Sequence, residues 1–365
     1  MHKKLLYLII SLFFCLNSFA TYHSEENRPD SINDGPYIFR VRNNFKAKWI
    51  ENNVLIEDYI VQENFAEVKN TFNLLFNYKD LMEIYSIQTD HKQSYNNIDS
   101  IGVITDIHGE YNSYVNLLKA NGIIDKNLNW KFGKGHLVVL GDIFDRGDMV
   151  TEVLWHLFGL EKQAAKAGGM VHVLLGNHGL MVLSKDVRYI NEKYTKVEEI
   201  SKTEYSDLFS ENSVLGKWLR SNPVVITINN IIFVHGGLSI EIIQRGLKIE
   251  QINQIFSDRI IGKDMEWVCE DEKLLFLCDD MGPLWYRGYF TDTSFCETRL
   301  DSILDFYDKE HIVVGHTSFE NIRSLFNNKI FAIDAGLMNG LYGEMLLYKN
   351  GYFYRCLATG ERIIL

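Results

Sequence analysis

Asp142, Asp145 and Arg146 share one short stretch, Gly141-Asp-Ile-Phe-Asp-Arg-Gly, and their side chains suit phosphate chemistry. Asp142 could bridge two metal ions through its two carboxylate oxygens. Arg146 offers a planar fork of donors that matches a phosphate. Asp145 could orient a histidine. Four further clusters have the same character: Asp106-Ile-His108-Gly, Gly176-Asn177-His178-Gly, His235-Gly-Gly and Gly315-His316-Thr. Histidine nitrogen with carboxylate or amide oxygen suits borderline divalent ions such as Mn, Fe or Zn better than calcium. Two such ions, about 3.5–4 Å apart, can clamp a phosphoryl group and make a hydroxide at neutral pH. Taken alone, the central stretch would equally describe a glycine-closed turn with a surface Asp–Arg pair. The weight lies in the recurrence.

Each cluster follows a short apolar run that reads as a buried strand: Ser100 to Thr105, Leu137 to Leu140, Met170 to Leu175, Ile231 to Val234 and His311 to Val314. Helical patterns at Tyr111–Ala120 and Thr151–Ala167 separate the first three, the second halted by Gly168-Gly169. That β-α-β-α-β order makes the three strands parallel neighbours whose C-terminal ends face one way, where open α/β sheets collect their functional groups. His136, His156 and His172 lie outside the pattern and read as core or loop residues. Val224–Asn229 pairs with Ile231–Val234 as a hairpin, and Lys329–Ile333, Glu344–Tyr348 and Tyr352–Leu357 close the chain as strands. Residues 180–222 and 240–310 are long polar excursions expected to shape a cleft. The second holds Pro283-Leu-Trp-Tyr-Arg287-Gly.

The first hundred residues carry no evident chemistry. Residues 1–20 have a basic start, an apolar run and Ser18-Phe19-Ala20, the pattern of a secretory signal peptide cleaved after Ala20. The expected location is therefore periplasmic or secreted. Residues 21–99 are expected to form a lead-in, with a β-hairpin across Asn43-Asn44, packed on a main domain of residues 100–365. Cleavage removes two lysines and takes the formal charge from −11 to −13. So acidic a chain is a poor partner for nucleic acid or an anionic membrane, and an anionic substrate must be drawn in by metal or arginine. Export makes one or two disulfides among Cys269, Cys278, Cys296 and Cys356 plausible, with the pairing open.

As a set, the five motifs resemble the calcineurin-like metallophosphoesterases, and within them the phosphoprotein phosphatases. The exported Pro36-Tyr lead-in and the Pro283-Leu-Trp-Tyr-Arg-Gly segment are similar to the Shewanella-like bacterial branch. The resemblance spans residues 101–350. It implies an α/β fold with a central β-sandwich of two mixed sheets flanked by helices. It also implies two divalent ions: Asp106, His108 and Asp142 would hold one, and Asp142, Asn177, His235 and His316 the other. His178 would be the general acid, oriented by Asp145, and Arg146 and Arg287 would grip the phosphate. A surface pair of Arg287 with Asp279 or Asp280 is the alternative for that arginine. The implied substrate is a phosphorylated protein, at tyrosine or at serine and threonine. Hydrolysis of dinucleoside polyphosphates or small phosphate esters is the competing reaction, and a binding module without turnover the third reading. The chain departs from the family at Gly179, where an acid is usual, and at Phe144, where a small residue is usual, and Thr317-Ser318 lacks the second histidine found in many other metallophosphoesterases, an absence that favours the phosphoprotein phosphatase branch over phosphodiesterases. The last departure leaves the Asp106 metal with fewer protein ligands.

Overall fold

The apolar runs ahead of the polar clusters are rich in Ile, Val and Leu, and strands buried on both faces demand such composition. In the computed structural model of the chain, which describes residues 31–86 and 93–365, they form the centre of two six-stranded sheets. The signal sequence expected over residues 1–20 lies outside the described residues.

The first sheet runs Arg362–Ile364, Tyr352–Leu357, Glu344–Lys349, Ser100–Ile104, His136–Val139, Met170–Val173. Its last three strands are parallel, with Val103 beside Val138 and Val138 beside His172. Glu344–Lys349 joins them antiparallel. The second sheet runs Arg323–Leu325, Ile330–Ala332, His311–Val314, Ile231–Val234, Val225–Ile228, Ser94–Tyr95, and is likewise mixed. Side chains alternate along a strand, so Ile101, Val103 and Val138 of the first sheet meet Ile226, Phe233, Val313 and Phe331 of the second. Phe331 stacks on Phe353 across this interior with ring centroids 4.1 Å apart. The opposite faces are covered by helices, among them Tyr111–Ala120 and Val150–Ala167. This is the expected sandwich of two mixed sheets flanked by helices. Sequence reading missed only the short edge strands Ser94–Tyr95, Arg323–Leu325 and Arg362–Ile364.

The lead-in forms a three-stranded antiparallel sheet, Asp34–Val41, Asn44–Glu51 and Val54–Ile60, followed by helices Phe65–Thr71 and Tyr78–Glu83. Its first turn is at Arg42-Asn43, where Arg42 takes φ +57°. Ile32–Leu365 forms one compact unit. Trp155 of the long helix donates its indole N–H to the Pro36 carbonyl at 2.8 Å, and Phe76 packs on Trp155 and Phe158. Asp34 forms a buried ion pair with Lys193 at 2.7 Å. The same ammonium donates to the Asp148 carbonyl at 2.6 Å, just after the central motif. Removing one partner of a buried pair strands the other charge, at a cost of about 3–5 kcal/mol. Lys193→Met is therefore expected to destabilise the protein by about that much in chemical unfolding. The double variant with Asp34→Asn should recover part of the loss; full stability in the single variant would refute the brace.

The disulfides expected of an exported chain are not formed. Cys269 is an exposed thiol on the helix Met265–Glu270, Cys296 is exposed just ahead of the helix Glu297–Tyr307, Cys278 is half-buried, and Cys356 is buried within a strand. Among the described residues no helix is long and apolar enough to cross a membrane.

Candidate active site

The five strand ends meet at one edge of the sandwich, the first three contributed by one sheet and the last two by the other. Turning sharply out of a strand forces unusual backbone. Asp106, His108, Asp142, Asp145, Arg146 and His316 all have positive φ, between 47° and 71°. Non-glycine residues held there are costly, and such strain gathers at functional sites. The turns are also tightly nested. A Cβ on Gly176 would strike the Asp142 carboxylate, so only glycine lets the Asn177–Leu183 helix begin this close.

Seven of the ten expected site residues line one cleft of 360 Å³: Asp106, Asp142, Arg146, Asn177, His178, Arg287 and His316. The other three, His108, Asp145 and His235, are buried beneath it. Asp142 lies at the centre. Its Oδ2 is 3.1 Å from His235 Nε2, 3.8 Å from His108 Nε2 and 4.0 Å from His178 Nε2. Its Oδ1 accepts the His178 backbone N–H at 3.0 Å. Asp106 Oδ1 is 3.9 Å from His108 Nε2, while its Oδ2 accepts from the Thr105 hydroxyl and the His316 backbone N–H. Asn177 Oδ1 is 2.9 Å from His235 Nε2.

Several observations fit these residues to divalent cations. The ligand atoms of Asp142, His235 and His316, and those of His108, Asp142 and His178, lie within 4.8 Å of one another. His108 Nδ1 is 2.6 Å from the Phe144 carbonyl and His235 Nδ1 3.0 Å from the Leu140 carbonyl. Each Nδ1 carries the proton it donates there, a second interaction that fixes the ring as metal-binding histidines require and leaves Nε2 as a donor to metal. His316 Nε2 is buried with no hydrogen-bond partner among the described residues. Burial, with His235 and Arg287 nearby, pushes the His316 pKa down to about 2, so its free nitrogen keeps its lone pair. Burial also works against charge on His235, yet the adjacent Asp142 carboxylate outweighs it and raises His235 to about 9, so a metal ion at Nε2 would take the place of a proton there. Asp106, Asp142, Asp145 and Asp334 are all buried. Burial and the charge of Asp106 push Asp334 up to about 8. So many carboxylates out of water call for compensating positive charge.

The remaining assignments fall on the cleft wall. His178 Nδ1 meets Asp145 Oδ2 at 2.5 Å, as the orienting role requires. His178 Nε2 also reaches the ligand cluster, so the geometry alone leaves it close enough to serve a metal. Arg287 is not paired on the surface: its Nη1 donates to the His316 carbonyl at 2.7 Å and to the Thr317 hydroxyl at 3.1 Å. Arg146 is exposed in the cleft, its backbone N–H donating to the Tyr189 carbonyl and its carbonyl accepting from the Asn191 amide. The two excursions do shape the cleft, Arg188 and Tyr189 from the first, Asp280 and Trp285 from the second. Phe144 is accommodated because its ring turns away into Tyr205 and Phe209, with centroids 6.5 and 5.0 Å away. At Gly179 the missing acid leaves Asp145 as the direct partner of His178, with Asp186, paired to Arg188, in electrostatic reach. Sequence reading missed Asp334, although it too ends an apolar strand, Ile330–Ala332. It also missed the wall residues Tyr189, Trp285, Met181 and Met338, which have no motif to mark them.

The relatives agree with this geometry. The family model for calcineurin-like phosphoesterases matches residues 100–318. The chain is 32% identical over 274 residues to Shewanella-like protein phosphatase 1 of Plasmodium berghei, covering 73% of this chain and 74% of that one. It is 23% identical over 287 residues to Shewanella-like protein phosphatase 2 of Arabidopsis thaliana, covering 65% and 71%. Among solved structures it is similar to the cold-active protein-tyrosine phosphatase of a psychrophilic Shewanella species, with a TM-score of 0.83 and 37% identity over 91% of this chain and 99% of that one. Matched over most of its length in sequence and in fold, the chain belongs to the calcineurin-like phosphoesterase family, in its Shewanella-like phosphoprotein phosphatase branch.

Proposed function

We infer that this chain is a metal-dependent protein phosphatase that hydrolyses phosphomonoesters and prefers phosphotyrosine. The observation that carries the reading is the convergence, in one cleft, of metal-type ligands, two arginines and a carboxylate-oriented histidine. The residues divide as Asp106, His108 and Asp142 toward one ion, and Asp142, Asn177, His235 and His316 toward the other. Mn, Fe or Zn suits the donor set. The chemistry supplied by two divalent ions, when bound, is Lewis-acid charge for the phosphoryl group and a water nucleophile available at neutral pH.

The chain's own groups do the rest. Arg287 spends one nitrogen on His316 and Thr317 and keeps its other donors for phosphate oxygens. Arg146 faces the same space and adds charge where it develops on the equatorial oxygens. Asp145 holds His178 by Nδ1, which leaves Nε2 to give its proton to the departing oxygen. The preference for phosphotyrosine is supported by four aromatic and thioether side chains in an otherwise polar cleft lining, Tyr189, Trp285, Met181 and Met338, which suit an aryl group behind the phosphate. The name of the Shewanella relative agrees with it. We place the enzyme outside the cytoplasm, on the strength of the signal-peptide pattern in residues 1–20.

Phosphate release from a phosphotyrosine peptide, a phosphoserine peptide, diadenosine tetraphosphate and an aryl phosphate, assayed side by side, tests the reading. The phosphotyrosine peptide should show the highest kcat/KM of the biological substrates. Faster cleavage of diadenosine tetraphosphate than of either peptide would overturn it.

A further inference from the structure

We propose that Asp334 belongs to the metal centre, serving the ion on the Asp106–His108 side, and that Ser318 orients it. The inference rests on the two-metal reading above and adds a residue to it. Asp334 directly follows the Ile330–Ala332 strand, next to the strand that delivers His316. It is 1% exposed. The Ser318 hydroxyl donates to its Oδ2, and the Phe319 backbone N–H donates to its backbone carbonyl, so the carboxylate is tied to the loop after His316. Its Oδ1 is buried and has no hydrogen-bond partner among the described residues. It lies in electrostatic reach of Asp106, His235, Asp142 and Arg287.

A carboxylate oxygen removed from water and left without a donor is unfavourable unless a cation compensates it. Among the described residues no lysine or arginine pairs with it, and the charges that reach it include another carboxylate, Asp106. The two halves of the centre are also unequal. By the division proposed above, three residues serve one ion and four the other, and the Ser318 hydroxyl already holds Asp334 beside the first. Asp334, gripped by that serine, is a hard oxygen donor on the poorer side, placed to hold the cation directly or through a water.

The test is calorimetric titration of Mn²⁺ into chelator-stripped full-length protein, comparing wild type, Asp334→Asn and Ser318→Ala. Wild type should bind two ions. Asp334→Asn should weaken one of them by about 10–100-fold, as loss of a supporting residue at a metal site does, and leave the other unchanged. Ser318→Ala should weaken the same ion by less, since it loosens the carboxylate without removing it. Melting temperatures with chelator present separate folding from binding and should coincide for wild type and Ser318→Ala. Unchanged affinity at both sites in both variants would overturn the proposal. So would equal weakening of both ions together with a lower metal-free melting temperature, which would make Asp334 structural. Wild type binding fewer than two ions would remove the two-metal reading itself, and the proposal with it.

Discussion

Asp142→Asn is expected to reduce turnover by at least about 10³-fold, because several kcal/mol of transition-state charge stabilisation depends on metal ions it helps to hold. No other side chain is assigned to both ions. Its Oδ2 sits 3.1 Å from His235 and 3.8 Å from His108, and its Oδ1 anchors the start of the Asn177–Leu183 helix through the His178 N–H. Asparagine keeps the size and an acceptor for that N–H while removing the charge. The fold should therefore survive, and metal content should fall. Circular dichroism and elemental analysis of the same preparation check both. A variant with native metal content and near-native turnover would contradict the assignment.

His178→Asn is expected to separate leaving groups. General acid catalysis is typically worth about 10²–10⁴-fold, and only where the departing oxygen needs a proton. A highly acidic phenol leaves without help; the alkoxide of phosphoserine does not, and tyrosine lies between. The variant should keep both metals, lose little on the activated aryl ester and lose most on phosphoserine peptide. Asp145→Asn should show the same order with smaller losses, since Asp145 acts through its 2.5 Å contact with His178 Nδ1. The experiment also resolves the position of His178 Nε2 beside the ligand cluster. Equal losses on every substrate, with metal missing, would make His178 a ligand and assign the proton to another group.

The strands and their polar ends were legible because their pattern is local. Buried runs such as Leu137-Val-Val-Leu and Ile312-Val-Val fix a strand by composition, and the residue that follows each run is placed by chain direction alone. The pairing of the first three strands followed from the helices between them. What the sequence did not reveal depends on distant partners. Arg287 could be assigned to a surface pair or to phosphate until His316 and Thr317 were seen to hold it. Phe144 looked like an obstruction until Tyr205 and Phe209 were found to receive it. Asp334 was hidden because its strand, Ile330–Ala332, lacks the glycine-flanked cluster that marked the others; its unpartnered oxygen is visible only in three dimensions. The cleft walls arise from two excursions remote from the motifs, and no spacing rule links Tyr189 to Trp285.

The dependence of turnover on metal occupancy bears most directly on all of this. Full-length protein stripped by chelator should be folded and inactive toward a phosphotyrosine peptide. On titration with Mn²⁺, activity should reach its plateau at two equivalents per chain. Full activity in the stripped protein, or a plateau at one equivalent, would contradict a two-metal phosphatase.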